Sequence, residues 1–338
     1  MGRLTIDMSE ASSGRLMKIL QHGRMIVAVA VLCAQAAHAL QEPSPADPLA
    51  PARAFLASDQ LPQSEAWLHI YLRSHPFSAD AHFLLGYVLF REQKAKDSLS
   101  EFTEGAKVRR PNAEELLTVG SDYVLLADYT DADKWFTEVT RITPNDANAW
   151  YLLGRTRYNE NLFDQAATAF QRTLVLHPRY VEAENNLGLC LKELNNSSEA
   201  AKSFETAIEW EGSTPLDAQP FLNLGMLLTD EGELDKATPY LQRAASIAPK
   251  NPKTHEELGA AYQAQKNFHQ AQFEYEQAVA LAPDTSALHF KLGQVYRKQG
   301  SMELARREFD ICAKINSTHS SSTTPNPYLP TSPTARQP

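Results

Sequence analysis

The 338-residue sequence has only three cysteines, Cys33, Cys190 and Cys312, and none of the paired spacings that build a disulfide framework or a zinc site. It has no phosphate-cradling glycine loop, no H-E-x-x-H helix and no nucleophile elbow, so it carries no catalytic or metal signature and implies no cofactor. Positive charge is in deficit: 32 Lys and Arg against 41 Asp and Glu give a formal charge of −9. That balance disfavours nonspecific nucleic-acid binding, which needs a dense cationic surface to neutralise phosphates. Arg109-Arg110, and Arg306-Arg307 beside Arg297 and Lys298, are scattered charges that read as solvated helix faces. Carboxylates such as those of "HEELG" (255–259) and "FEYEQ" (273–277) lie at spacings common to any soluble helix, so no catalytic pair is assigned.

The N-terminal region is patterned differently. Residues 17–41, "MKILQHGRMIVAVAVLCAQAAHALQ", place basic Lys18 and Arg24 before an apolar run from Met25 to about Ala34, followed by Ala37-His38-Ala39. This is the pattern of a secretory signal peptide cleaved after Ala39, with Met17 as the expected initiator. The run is too short to span a bilayer, so no permanent membrane span is expected after cleavage. Leu32 before Cys33 does not suit lipidation. The expected location is periplasmic or extracellular. "QEPSPADPLAP" (41–51) reads as a Pro-rich linker within 40–51, and 317–338, rich in Ser, Thr and Pro, as a disordered tail.

Between them the chain repeats. Gly86, Gly120, Gly154, Gly188, Gly225, Gly259 and Gly293 follow one another at steps of 34, 34, 34, 37, 34 and 34 residues, six of them preceded by leucine and one by Val119. Twelve residues after each stands a small residue: Ser98, Ala132, Ala166, Ala200, Ala237, Ala271 and Ala305. Four further on stands a large one: Phe102, Phe136, Phe170, Phe204, Leu241, Tyr275 and Phe309. Proline closes several units at Pro144, Pro178, Pro249 and Pro283. A glycine inside a helix costs roughly 0.5 to 1 kcal/mol against alanine, so its recurrence points to close helix approach, with the bulky residue filling the space between.

A 34-residue period with these residues resembles the tetratricopeptide repeat (TPR) family. The resemblance implies an all-α fold, a right-handed α-solenoid of stacked helix-turn-helix units, with seven repeats over 79–316: 79–112, 113–146, 147–180, 181–217, 218–251, 252–285 and 286–316. Residues 52–78 read as a degenerate N-terminal repeat without a Leu-Gly pair, with Leu68 where the others have the aromatic. The repeat 181–217 carries three extra residues around Gly212 and Pro215, so 209–219 is expected to form a longer loop. Cys190 and Cys312 lie more than three repeats apart and cannot meet in a solenoid. The charged residues Glu303, Arg306, Arg307, Asp310 and Lys314 suit the wetted end of the last repeat.

By the same resemblance the second, fifth, ninth and twelfth positions of each repeat line a concave groove. They are Asn148, Tyr151, Arg155 and Tyr158 in one repeat, and Glu182, Asn185, Leu189 and Lys192 in the next. Gln219, Leu222, Met226 and Thr229 follow, and then Phe290, Gln294 and Arg297 in the last repeat. Tyr151, Arg155 and Tyr158 form the best local cluster of interface-favoured side chains, with simple coverage of the neighbouring helix as the other reading. Asn186 and Asn223 precede two Leu-Gly pairs, as in relatives where an asparagine ladder holds an extended peptide. His69, His75 and His82 straddle a break at Pro76 and suit surface or interface roles, while His82, His255 and His289 share a packing position with Trp150 and Phe221.

The expected partner is therefore a protein or peptide, with neither nucleic acid nor a small-molecule substrate, and the expected activity is binding without catalysis. Two further readings stand beside it: a cell-envelope assembly factor, and a noncatalytic subunit of an envelope enzyme, either acting through the convex face or the tails.

Overall fold

Residues 47–321 are described by the computed structural model, and they form sixteen α-helices. The signal peptide expected at 1–39, most of the linker and most of the C-terminal tail lie outside the described residues. The helices pair as α1 Ala50–Ala57 with α2 Leu61–Ser74, α3 Ala79–Arg91 with α4 Ala95–Ala106, and α5 Ala113–Leu125 with α6 Tyr129–Ile142. Then come α7 Ala147–Asn159 with α8 Phe163–Leu176, α9 Val181–Glu193 with α10 Ser197–Glu211, and α11 Gln219–Asp230 with α12 Leu234–Ile247. The last are α13 Pro252–Ala264 with α14 Phe268–Leu281, and α15 Ser286–Lys298 with α16 Met302–Ser321. Each pair packs on itself and on the next, which is an α-solenoid of eight repeats.

The turn inside each repeat explains the strict period. A residue with left-handed backbone follows every first helix: Asp59, Gln93, Ala127, Asn161, Asn195, Gly232, Lys266 and Gly300. The N–H of the following residue then reaches back five positions, as Lys94 does to the Leu89 carbonyl at 2.9 Å and Asn196 to that of Leu191 at 2.8 Å. This closes the helix end and reverses the chain. Only two of the eight are glycine, so six side chains stand in a conformation that costs an L-residue roughly 1 to 2 kcal/mol.

The helical glycines mark where two helices come closest. A Cβ on Gly188 would lie 2.6 Å from the Phe204 ring, and one on Gly225 would lie 2.6 Å from Leu241. Phe136, Phe170, Phe204 and Leu241 are fully buried in these contacts.

The first repeat reaches further back than 52. Asp47 accepts a hydrogen bond from the Leu49 N–H at 2.9 Å, Leu49 is buried, and α1 begins at Ala50 inside the stretch expected to be linker. Ala52 stands 34 residues before Gly86, and Ser64 donates to its carbonyl at 2.9 Å just as Ser98 donates to Gly86 at 2.8 Å. The unit is in register: alanine replaces glycine, and the smaller Leu68 replaces the ring that would meet it.

At the other end α16 continues through Ser321, past the boundary expected at 316. Glu303, Arg306, Arg307, Asp310 and Lys314 are exposed on it and wet the end of the stack. The three inserted residues extend α10 to Glu211, where Gly212 takes φ +73° and Leu216 donates its N–H to the Glu211 carboxylate at 2.8 Å. Pro239 is the sixth residue of α12, beyond the first turn, so the bond its N–H would make to Asp235 is missing.

Candidate partner-binding face

First helices approach one another along the stack, α3 with α5, α7 with α9, α9 with α11 and α11 with α13, while successive second helices do not to the same degree. A stack that closes on its first-helix side is concave there, so these helices form the inner face.

Side chains bridge successive repeats across that face. Asn186 donates through Nδ2 to the Tyr151 hydroxyl at 3.4 Å, and Asn223 donates through Nδ2 to Asn185 Oδ1 at 2.9 Å. Lys192 pairs with Asp230 at 2.8 Å. Lys291 of α15 bonds Glu256 of α13, and within α13 Lys253 meets Glu256 at 3.1 Å and Glu257 at 2.6 Å. Burial of the Glu256 carboxyl works against its charge, but Lys291 and Lys253 outweigh it and hold the group below the usual carboxylate range.

The central sequence-selected residues do come together, though not all as exposed anchors. Tyr151 is only 7% exposed, its ring 4.9 Å from that of Tyr180 and 5.9 Å from that of Phe170. Arg155 lies with its guanidinium 5.8 Å from the Tyr151 ring centre and is half-buried. Tyr158 is half-buried, edge-on to Phe163 at 5.4 Å, and burial followed by the charge of Glu193 raises its phenol above the ordinary value. Asn185 is buried, while Asn186, Lys192, Asn223 and Met226 are half-exposed along the same face. Phe290 and Arg297 form a separate pair at the far end, both exposed against Phe309 at 5.7 Å and 5.9 Å.

Counting positions missed Tyr180, which enters from the turn before α9 and covers Tyr151. It also missed Asp230, Glu257 and Lys291, while the second and fifth positions of the repeat 252–285 are Lys253 and Glu256 of the same charged network. The signal available was charge of opposite sign about one repeat apart, at Lys192 and Asp230 and at Glu256 and Lys291.

The shared fourth position is a hydrogen-bonding site. Nε2 of His82, His255 and His289 meets the carbonyl oxygen of Pro76, Pro249 and Pro283 at 3.0, 3.0 and 2.9 Å, and Trp150 donates to that of Pro144 at 3.0 Å. Nδ1 of each histidine lies 2.7 Å from Glu101, Glu274 or Glu308 on the second helix. Each histidine thus ties the turn that ends the preceding repeat to both helices of its own. Cys190 is buried, and burial lifts its thiol to about 12, which leaves it an inert packing residue. Among the described residues no helix is long and apolar enough to cross a membrane.

These features define a helical-repeat solenoid whose inner face is bridged by side chains from α7 to α11 and again between α13 and α15. Tetratricopeptide repeat family models match residues 49–114, 151–213 and 191–252 in one form and 228–289 in another, together more than half of the chain. The chain belongs to the tetratricopeptide repeat family. It is similar to anaphase-promoting complex subunit 3 of Schizosaccharomyces pombe, 22% identical over 195 residues, covering 57% of this chain and 29% of that protein. An uncharacterised TPR repeat-containing protein of Arabidopsis thaliana is 31% identical over 105 residues, covering 29% of this chain and 13% of its own length. The chain thus spans a small part of the curated relatives it matches. Among solved structures, PilW, a type IV pilus biogenesis factor, shares the fold at a TM-score of 0.55 and 19% identity, covering 62% of this chain and 95% of that one.

Proposed function

We propose that the protein is an exported, non-catalytic scaffold that binds a protein or peptide partner on its concave face. The observation that carries this reading is the run of inter-repeat bridges from Tyr151 through Asn186, Asn185 and Asn223. They position Asn186 and Asn223 before a partner arrives, so less ordering entropy is lost at those side chains on binding. Membership in a family of protein-interaction repeats supports the same class of partner. Export rests on Lys18, Arg24, the apolar run and the Ala37-His38-Ala39 site.

Photoreactive residues placed at Arg155 and Met226 in intact cells, with Lys202 and Arg243 of the second helices as controls, test the reading. One dominant partner captured from the inner positions, on a chain beginning at Leu40, is the expected result. Capture from the outer positions alone, or an uncleaved chain, contradicts it.

A further inference from the structure

Two residues after the helical glycine stands Val88, Thr156, Cys190, Leu227, Ala261 or Val295 in other repeats, but Asp122 in α5. Asp122 is 0% exposed, at the joint between the second and third repeats. Among the described residues its Oδ1 has no hydrogen-bond partner, and its Oδ2 lies 2.5 Å from Ser98 Oγ of α4. The same Oγ lies 2.8 Å from the Gly86 carbonyl oxygen of α3. A hydroxyl has one hydrogen, and a carbonyl oxygen only accepts. Ser98 can aim a full, linear bond at only one of them, so with its hydrogen on the Gly86 carbonyl the 2.5 Å contact becomes a hydrogen bond when Asp122 carries a proton and donates it to the serine oxygen. The resulting chain, Asp122 to Ser98 to Gly86, links three helices.

The charged groups of the surrounding elements are turned elsewhere. In α3, His82 meets Glu101 of α4 and Arg91 meets Asp59; Lys94, just before α4, meets Glu65 and Glu92. Glu115 of α5 meets Arg109, and in α6 Lys134 meets Asp131 while Asp133 meets Arg157. Lys96, Asp97, Glu104 and Glu114 are exposed. Among the described residues no cation pairs with a carboxylate at position 122, and burial lifts its carboxyl to about 7.

We propose that Asp122 is a proton-operated latch on the joint between the second and third repeats, closed as the neutral acid and loosened when ionised. This goes beyond the groove reading and does not depend on it.

In an open joint the carboxyl ionises at its ordinary value of ~3.9. Between there and about 7 the closed joint holds one more proton than the open one. Opening therefore increases with pH, on the order of tenfold per unit through that window, and levels off above it. Amide hydrogen exchange of the full chain between pH 5 and 7, corrected for intrinsic exchange rates, tests this in the wild type, Asp122→Asn and Asp122→Val. The asparagine keeps a donor for Ser98 without titrating; the valine copies Val88 and Val295 and serves if the amide variant fails to fold. The expected result is a steep pH rise in exchange through α4 and α5 of the wild type, flattened in the variants. A flat wild type, or a slope that the substitutions leave unchanged, overturns the proposal.

Discussion

At the scale of single residues, the fold is set by what a methyl group would strike. Gly188 and Phe204, sixteen residues apart, are a matched pair, and Phe204 is too deeply buried to swing aside. Gly188→Ala is expected to cost about 1 to 3 kcal/mol in urea denaturation despite the better helix propensity of alanine, because overpacking outweighs it. Gly259→Ala should cost less, since its Cβ would stand 3.0 Å from Tyr275 rather than 2.6 Å from a ring. The first repeat shows how the penalty is relieved, with Ala52 accompanied by Leu68. Adding Phe204→Leu to Gly188→Ala should therefore recover part of the loss, seen as a favourable coupling in a double-mutant cycle.

The element scale is governed by the turns. Ala127 and Lys266 hold left-handed backbone, with φ 58° and 62°, where Gly232 and Gly300 serve in other repeats. Replacing either with glycine is expected to raise stability by about 1 kcal/mol, measured as a shift in denaturation midpoint at unchanged slope. A loss of stability would show that these side chains contribute more than their backbone strain costs. Here also lies the limit of what was legible in the sequence. The 34-residue period was readable because glycine and its bulky partner write the same contact seven times. The first repeat was not fully readable, because Ala52 and Leu68 keep the geometry with neither letter of the pattern. Positional counting gave the face on which Tyr151 lies but not its exposure, because Tyr180 covers it from a turn that helical periodicity does not describe. The charged networks were hidden because pairing of Lys192 with Asp230 depends on how two successive repeats are stacked.

At the scale of the whole molecule, the stack closes on its first helices and presents an inner surface bridged from α7 to α11 and again between α13 and α15. Lys192–Asp230 is solvent-exposed, so Lys192→Ala should change global stability by no more than about 1 kcal/mol. Any larger effect on partner binding then reports on recognition rather than folding. The most direct test of the account is the affinity of the captured partner for two variants of the full mature chain, measured by calorimetry. One carries Arg155→Ala and Asn223→Ala on the inner face, the other Lys202→Ala and Arg243→Ala on the outer. The account predicts at least tenfold weaker binding for the inner variant, about 1.4 kcal/mol, with the outer variant unchanged. Equal affinity of the inner variant and the wild type, or a loss confined to the outer variant, would contradict it.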